Sequence, residues 1–167
     1  MNINTSNSVE LRQAGKEDIQ TIINIAFPAW DTTYRGKIVS EEQFDFMFNE
    51  MYSVESLTNQ FDSGHTFYIL YEDGVPAAFV SFIREEKTIR IPKLYVHPSH
   101  HKKGFGKILI KKVEELNKDD FDFLELNVNR YNPAKNFYEK LGFNVSDEID
   151  VPIGKFFMND YIMKKEI

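Results

Sequence analysis

"HPSHHKKGFGKILIKK", residues 97–112, sets histidines and lysines against two glycines and then turns apolar at helical spacing. Phe105, Ile108, Leu109, Val113 and Leu116 recur with the period of a helix packed on a sheet, while Lys107, Lys111 and Glu115 fall off that stripe. Gly104 and Gly106 therefore stand where a loop enters a helix. Lacking side chains, they let an oxygen-rich ligand approach the backbone. The first turn of a helix has N–H groups without intrahelical partners and the positive end of the dipole, so it attracts phosphate. Lys102, Lys103 and Lys107 add charge around the same point. Two readings stand side by side, a solvated basic turn and a loop that holds phosphates. The segment is not a dinucleotide-binding fingerprint, and it lacks the glycine spacing and the Ser/Thr of a P-loop.

Upstream of the loop, "KTIRIPKLYVHP" (87–98) reads as a strand stopped by Pro98. Before it, "HTFYILYE" (65–72) and "PAAFVSFIRE" (76–85) flank Asp73-Gly74, a hairpin signal. Further back, "SEEQFDFMFNEM" (40–51) predicts a helix with Ser40 as N-cap and Phe44, Met47 and Phe48 on one face, and "VESLTNQF" (54–61) a short third helical piece. "KEDIQTIINIAFPAW" (16–30) carries Ile19, Ile22, Ile23 and Ala26 at helical spacing, with Pro28 expected to end the helix. "VELRQA" (9–14) alternates as a first strand. Downstream, the helix after the glycines runs to about Lys118. "FDFLELNVN" (121–129) reads as a strand and "NPAKNFYEKLG" (132–142) as a helix with Gly142 at its end. "FNVSDEIDV" (143–151) and "FFMNDYIMKKE" (156–166) form a closing pair. This order predicts an α+β sheet fold, and without a linker or repeat to divide the chain, residues 1–167 read as a single domain.

Composition narrows the function. Apolar residues at 42% and charged residues at 28% of 167 describe an ordinary globular chain. The absence of cysteine removes disulfides, thiolate metal sites and cysteine nucleophiles. A net charge of −6 argues against nucleic acid as a partner and favours a cationic small substrate. "MNINTSNSVELRQ" (1–13) has neither the basic start nor the apolar core of a signal peptide, and no apolar run is long enough to span a membrane. A cytoplasmic location is the expectation.

The strand "KLYVHP" (93–98) and the downstream "NVNRYNPAKNFYEKLGF" (127–143) resemble the GNAT N-acetyltransferase superfamily. That superfamily has an Arg/Gln-x-x-Gly-x-Gly/Ala loop after a strand. A helix ending in Tyr-Glu-Lys-Leu-Gly-Phe follows, and here these are His101–Gly106 and Tyr138–Phe143. The resemblance covers nearly the whole chain. It implies a mixed, mostly antiparallel sheet of six to seven strands, with helices on both faces and a splayed parallel strand pair in the middle. It implies acetyl-CoA as cosubstrate, no metal, and a primary amine as acceptor. The splayed strands would be "KLYVHP" and "FLELNVN" (123–129). Backbone of Leu94, Tyr95 and Val96 would meet the pantetheine, and N–H groups of Lys102, Lys103, Gly104, Phe105, Gly106 and Lys107 would receive the pyrophosphate. Tyr138 matches the tyrosine that protonates the departing thiolate, since a thiolate leaves badly unless protonated or hydrogen-bonded.

Three departures from the family pattern stand out. His101 replaces the usual Arg or Gln. The helix asparagine falls one residue late, leaving Asn132 or Asn127 for the cofactor contact. In "IRIPKLY" (89–95) there is no acid where some relatives, among them bacterial polyamine acetyltransferases, carry a glutamate that helps deprotonate the amine. A primary amine with a pKa of about 10 must lose a proton before attack, and Glu125, His97 or a water chain are the alternatives for taking it. On the acceptor side, the resemblance implies that "FPAWDTTYRGKIVS" (27–40) is a loop walling the site. Phe27, Trp30 and Tyr34 would form an aromatic box and Asp31 an ammonium partner, or the same aromatics simply pin the loop to the core. "FPAWDTTY" (27–34) and the final strand also look faintly like the polyamine acetyltransferases. Relatives often dimerise, so a homodimer is an implied assembly; a membrane partner is not. The reading from another class is a non-catalytic acyl-CoA-binding or sensing domain.

Overall fold

The computed structural model describes residues 7–167; the first six, part of the stretch read above against a signal peptide, lie outside the described residues. Strands β1 (Val9–Gln13), β2 (Thr66–Glu72), β3 (Val75–Glu85), β4 (Thr88–Val96), β5 (Phe123–Asn129), β6 (Asn144–Ile153) and β7 (Phe156–Glu166) form one sheet in the order β1-β2-β3-β4-β5-β7-β6. Every neighbouring pair is antiparallel except β4 and β5. The hairpin signal at Asp73-Gly74 is realised with φ of 50° and 79°, the positive pair that a two-residue turn between twisted strands requires.

Helices α1 (Ile19–Tyr34), α2 (Glu41–Tyr52) and α3 (Val54–Asp62) cover one face; α4 (Phe105–Asn117) and α5 (Ala134–Lys140) cover the other. Ser40 caps α2, its hydroxyl accepting from the Gln43 N–H. Under the first three helices Ile22, Trp30, Phe44, Met47, Phe67 and Phe79 pack together; under α4 and α5 the core is built on Val80, Phe82, Leu109, Val113, Leu124 and Phe143.

Two expectations are corrected. Pro28 does not end α1, which runs on to Tyr34. The carbonyl that Pro28 cannot engage belongs to exposed Asn24, where water can satisfy it, while Ala29, Trp30 and Tyr34 are buried and hold the next two turns to the sheet. Phe27–Tyr34 is thus helix, and only Arg35–Ser40 connects α1 to α2. On α4, Leu116 is 39% exposed; the buried stripe is Phe105, Leu109, Ile110, Val113 and Asn117, with Arg84 and the Val113 carbonyl satisfying the Asn117 amide.

Candidate active site

The site begins with a fault in the sheet. On β3, Ser81 pairs with Lys93 and Ile83 with Arg90, so Phe82 alone faces Ile91 and Pro92. This is a β-bulge, and proline suits it because it has no N–H to give to a ladder. The extra residue reverses the side-chain phase of β4. Ile89 and Ile91 pack in the core under α4, but after the bulge Lys93 lies over the Tyr52 ring and Tyr95 packs under α1. Pairing between β4 and β5 stops at Arg90–Glu125, although β4 continues to Val96 and β5 to Asn129. Past that point β4 is held only by β3 and β5 only by β7. Their inner edges part around a cleft of about 400 Å³, lined by Leu94, Tyr95 and Val96 on one side and Leu126, Asn127 and Val128 on the other. An unpaired strand edge inside a protein is a set of donors and acceptors awaiting an extended ligand.

One end of the cleft is the glycine loop. Lys102 and Gly104 take φ of 63° and 78°, and Lys103 between them does not, an alternation that turns successive N–H groups the same way into an anion-binding concavity. Gly104 is the N-cap of α4, whose first N–H groups have no helical acceptor. Gly106 has another role as well: a Cβ there would sit 3.0 Å from the Phe137 ring, so it lets α4 and α5 meet. Two ties hold the loop. His101 Nε2 donates to the Val96 carbonyl at 3.0 Å, pinning the loop to the end of β4. Glu72, at the end of β2, accepts from Lys103 at 2.6 Å and meets His100 Nδ1 at 2.9 Å. The Lys103 hydrogen bond, helped by His100 and Asn7, holds the Glu72 carboxyl down at about 2.

At the other end Tyr138 projects from α5, 8% exposed, between Phe137 and Phe143. Burial pushes its phenol above the ordinary value, so it keeps its proton at neutral pH. Asn132 ties the two sides of the cleft: its Nδ2 donates to the Tyr34 hydroxyl at 3.2 Å and its Oδ1 accepts from the Ala134 N–H at 2.9 Å, starting α5.

A second cavity, of about 230 Å³, adjoins the first and shares Tyr34, Ile91, Pro92, Tyr95 and Asn127 with it. Trp30, Tyr34, Tyr52 and Tyr95 supply aromatic walls, the Trp30 ring lying 4.6 Å from Tyr34, 5.7 Å from Tyr52 and 6.1 Å from Tyr95. A polar strip crosses the sheet beneath them. Glu125 pairs with Arg90, Arg90 donates to Asn127 Oδ1 at 3.2 Å, and Asn127 donates to Asp160 Oδ2 at 3.3 Å.

The model of the acetyltransferase (GNAT) domain matches residues 36–157. Spermidine N(1)-acetyltransferase of Thermoplasma acidophilum is 30% identical over 95% of this chain and 98% of its own. This chain belongs to the GNAT acetyltransferases. The GNAT fold is equally clear in solved structures. PaiA N-acetyltransferase of T. acidophilum in complex with coenzyme A superposes with a TM-score of 0.81 at 30% identity over 96% of this chain and 99% of that one. A GCN5-related N-acetyltransferase from Rhodopseudomonas palustris, 23% identical, gives 0.81 over 98% and 99%, a likeness of fold. The chain is an acetyl-CoA-dependent N-acetyltransferase, and the parted parallel pair expected of a GNAT sheet is β4 and β5.

Within this GNAT frame the residues singled out in the sequence separate into groups. Leu94, Tyr95, Val96, His101, Lys102, Lys103, Gly104, Phe105 and Gly106 all line the cleft, as do Asn127, Asn132 and Tyr138. Lys107 lies one position further into α4, exposed and outside the lining. Trp30 and Tyr34 wall the second cavity, whereas Phe27 and Asp31 line neither space. Phe27 packs edge-on against Phe44 and Phe48, and Asp31 pairs with Arg35 at 2.6 Å. Neither Glu125 nor His97 lines a cavity: Glu125 faces Arg90, and His97 Nδ1 accepts from the Ser99 N–H at 3.1 Å. Residues of the site that escaped the sequence reading include Arg90, Glu72, Tyr52 and Asp160. For Asp160 a signal existed, an acid in step with Phe156, Met158 and Ile162 along the last strand.

Proposed function

We propose that this enzyme moves the acetyl group of acetyl-CoA to a primary amine of a small cationic acceptor by direct attack in a ternary complex. The observation that carries the reading is the parting of β4 and β5 after Arg90–Glu125 into a cleft that runs from the glycine loop to Tyr138. The open edge of β4 at Leu94–Val96 suits the amide groups of the pantetheine arm, and the N–H groups of Lys102–Lys107 suit the pyrophosphate. Asn127 and Asn132 offer side-chain amides along the same path. His101 contributes through the loop, since its ring is committed to the Val96 carbonyl.

In the reaction the amine nitrogen attacks the thioester carbonyl carbon, a C–N bond forms and the C–S bond breaks. Tyr138 hydrogen-bonds and protonates the sulfur as it leaves; burial keeps that proton in place until it is needed. With Glu125 held by Arg90 and His97 by Ser99, the acceptor's own proton leaves to water in the cleft, and water returns a proton to Tyr138. A cationic acceptor is favoured by the aromatic walls of the second cavity and by the net charge of −6. The relative named for spermidine acetylation points the same way.

The test is release of CoA thiol from acetyl-CoA against polyamines, amino acids, amino sugars and short peptides. The expected result is turnover with one of the first group. Binding of acetyl-CoA with no thiol release in any group would replace this reading with that of an acyl-CoA-binding domain.

A further inference from the structure

Asp160 is 8% exposed and lines the second cavity without lining the cleft. Asn127 reaches its Oδ2 at 3.3 Å, a long contact, and among the described residues nothing bonds its buried Oδ1. Three cations lie around it, and each is engaged elsewhere. Arg90 pairs with Glu125, and Lys93 Nζ donates to Gln60 Oε1 at 2.9 Å. The Arg130 guanidinium binds Asp150 at 2.7 Å and touches only the backbone carbonyl of Asp160, at 3.5 Å. A carboxylate buried with one oxygen unsatisfied and no cation in contact is destabilising unless something fills the place. Burial accordingly pushes its pKa above the ordinary value, and a cationic ligand would relieve this.

The rest of the cavity describes such a ligand. Rings of Trp30, Tyr34 and Tyr95 attract a cation through their faces, while Met51 and Met158 suit a methylene chain. Arg90 is no obstacle because Glu125 matches its charge, and Lys93 Nζ is engaged by Gln60 Oε1 and the Tyr52 ring. Because Tyr138 lines only the cleft and Asp160 only the second cavity, with Tyr95 and Asn127 between them, one acceptor reaching both needs two nitrogen centres. We infer that Asp160 receives a second ammonium of the acceptor, one that is not acetylated, and so makes the enzyme choose diamines over monoamines. The inference rests on the acetyl-transfer reading only for which nitrogen reacts.

The experiment compares an α,ω-diamine with the monoamine of equal length, in the wild type and in Asp160→Asn, a near-isosteric change whose folding is checked by acetyl-CoA-induced thermal stabilisation. The wild type should favour the diamine in kcat/KM, and Asp160→Asn should shrink that ratio about tenfold or more, mostly through KM. No diamine preference in the wild type, or equal loss for both amines in the variant, overturns the inference. A second readout stands apart from turnover: with CoA bound, the diamine should raise the melting temperature of the wild type and not of Asp160→Asn. Should no amine release thiol, the acetyl-transfer reading fails alone, and this shift still decides whether Asp160 binds an ammonium.

Discussion

At the scale of single residues, the site works by keeping certain side chains busy and leaving others free. Among the described residues no side-chain hydrogen bond perturbs the Tyr138 phenol, whose pKa is raised by burial first, so its proton is available to a leaving sulfur. Tyr138→Phe removes that proton while preserving the packing on Phe137 and Phe143. Turnover should fall by about 10²-fold, with acetyl-CoA affinity retained; unchanged turnover would remove Tyr138 from the chemistry. Glu72 is the opposite case, a carboxylate fully occupied by Lys103, His100 and Asn7. Its pKa is depressed from 4.5 to about 2, so the folded form binds fewer protons than the unfolded chain in that interval. The stabilisation is therefore complete above the ordinary value and is lost as pH falls toward the folded one. The Tm advantage of the wild type over Glu72→Gln should shrink as pH is lowered from 4.5 toward 2; a gap constant with pH would mean that the ion pair is not what holds the loop.

At the scale of elements, two contacts fix the cleft, the bulge at Ile91–Pro92 and the close approach of α4 to α5. The second depends on Gly106, where a Cβ would lie 3.0 Å from Phe137. Gly106→Val forces the two helices apart and should cost about 1–3 kcal/mol by overpacking, read as a lower Tm, together with weaker acetyl-CoA binding by calorimetry. Retained stability would show that Phe137 can move aside. The elements themselves were legible because each carries its own local signal: Ser40 before α2, Asp73-Gly74 between β2 and β3, and the Phe105–Val113 stripe after the glycine pair. Pro28 misled because its effect depends on which side of the helix faces water, a tertiary fact. The cleft-lining segments Leu94–Val96 and His101–Gly106 were legible through motif order. Arg90 with Glu125, and Asn127 with Asp160, were not, because those contacts cross between strands far apart in the chain, and their pairing is settled only once the sheet order is known.

At the scale of the whole molecule, the wall of the second cavity holds a charge where a stable core would have none. Lys93 is 7% exposed, satisfied by Gln60 and the Tyr52 face, with no carboxylate within salt-bridge reach among the described residues. Burial lowers its pKa from 10.5 to about 8. The unfolded chain therefore holds the proton more tightly, and between those values stability rises with pH as the folded protein sheds it. Below about 8 the full penalty is present, on the order of 3 kcal/mol from the size of the shift. Lys93→Met fills nearly the same volume without the charge. At pH 7 it should be at least as stable as the wild type in urea, since an apolar residue commonly replaces a buried ion at no loss, and its advantage should narrow as pH approaches 10. A variant clearly less stable than the wild type at pH 7 would show that the Gln60 bond and the Tyr52 ring compensate the buried ammonium in full. The predicted result instead makes Lys93 a buried charge retained at the expense of stability beside the second cavity.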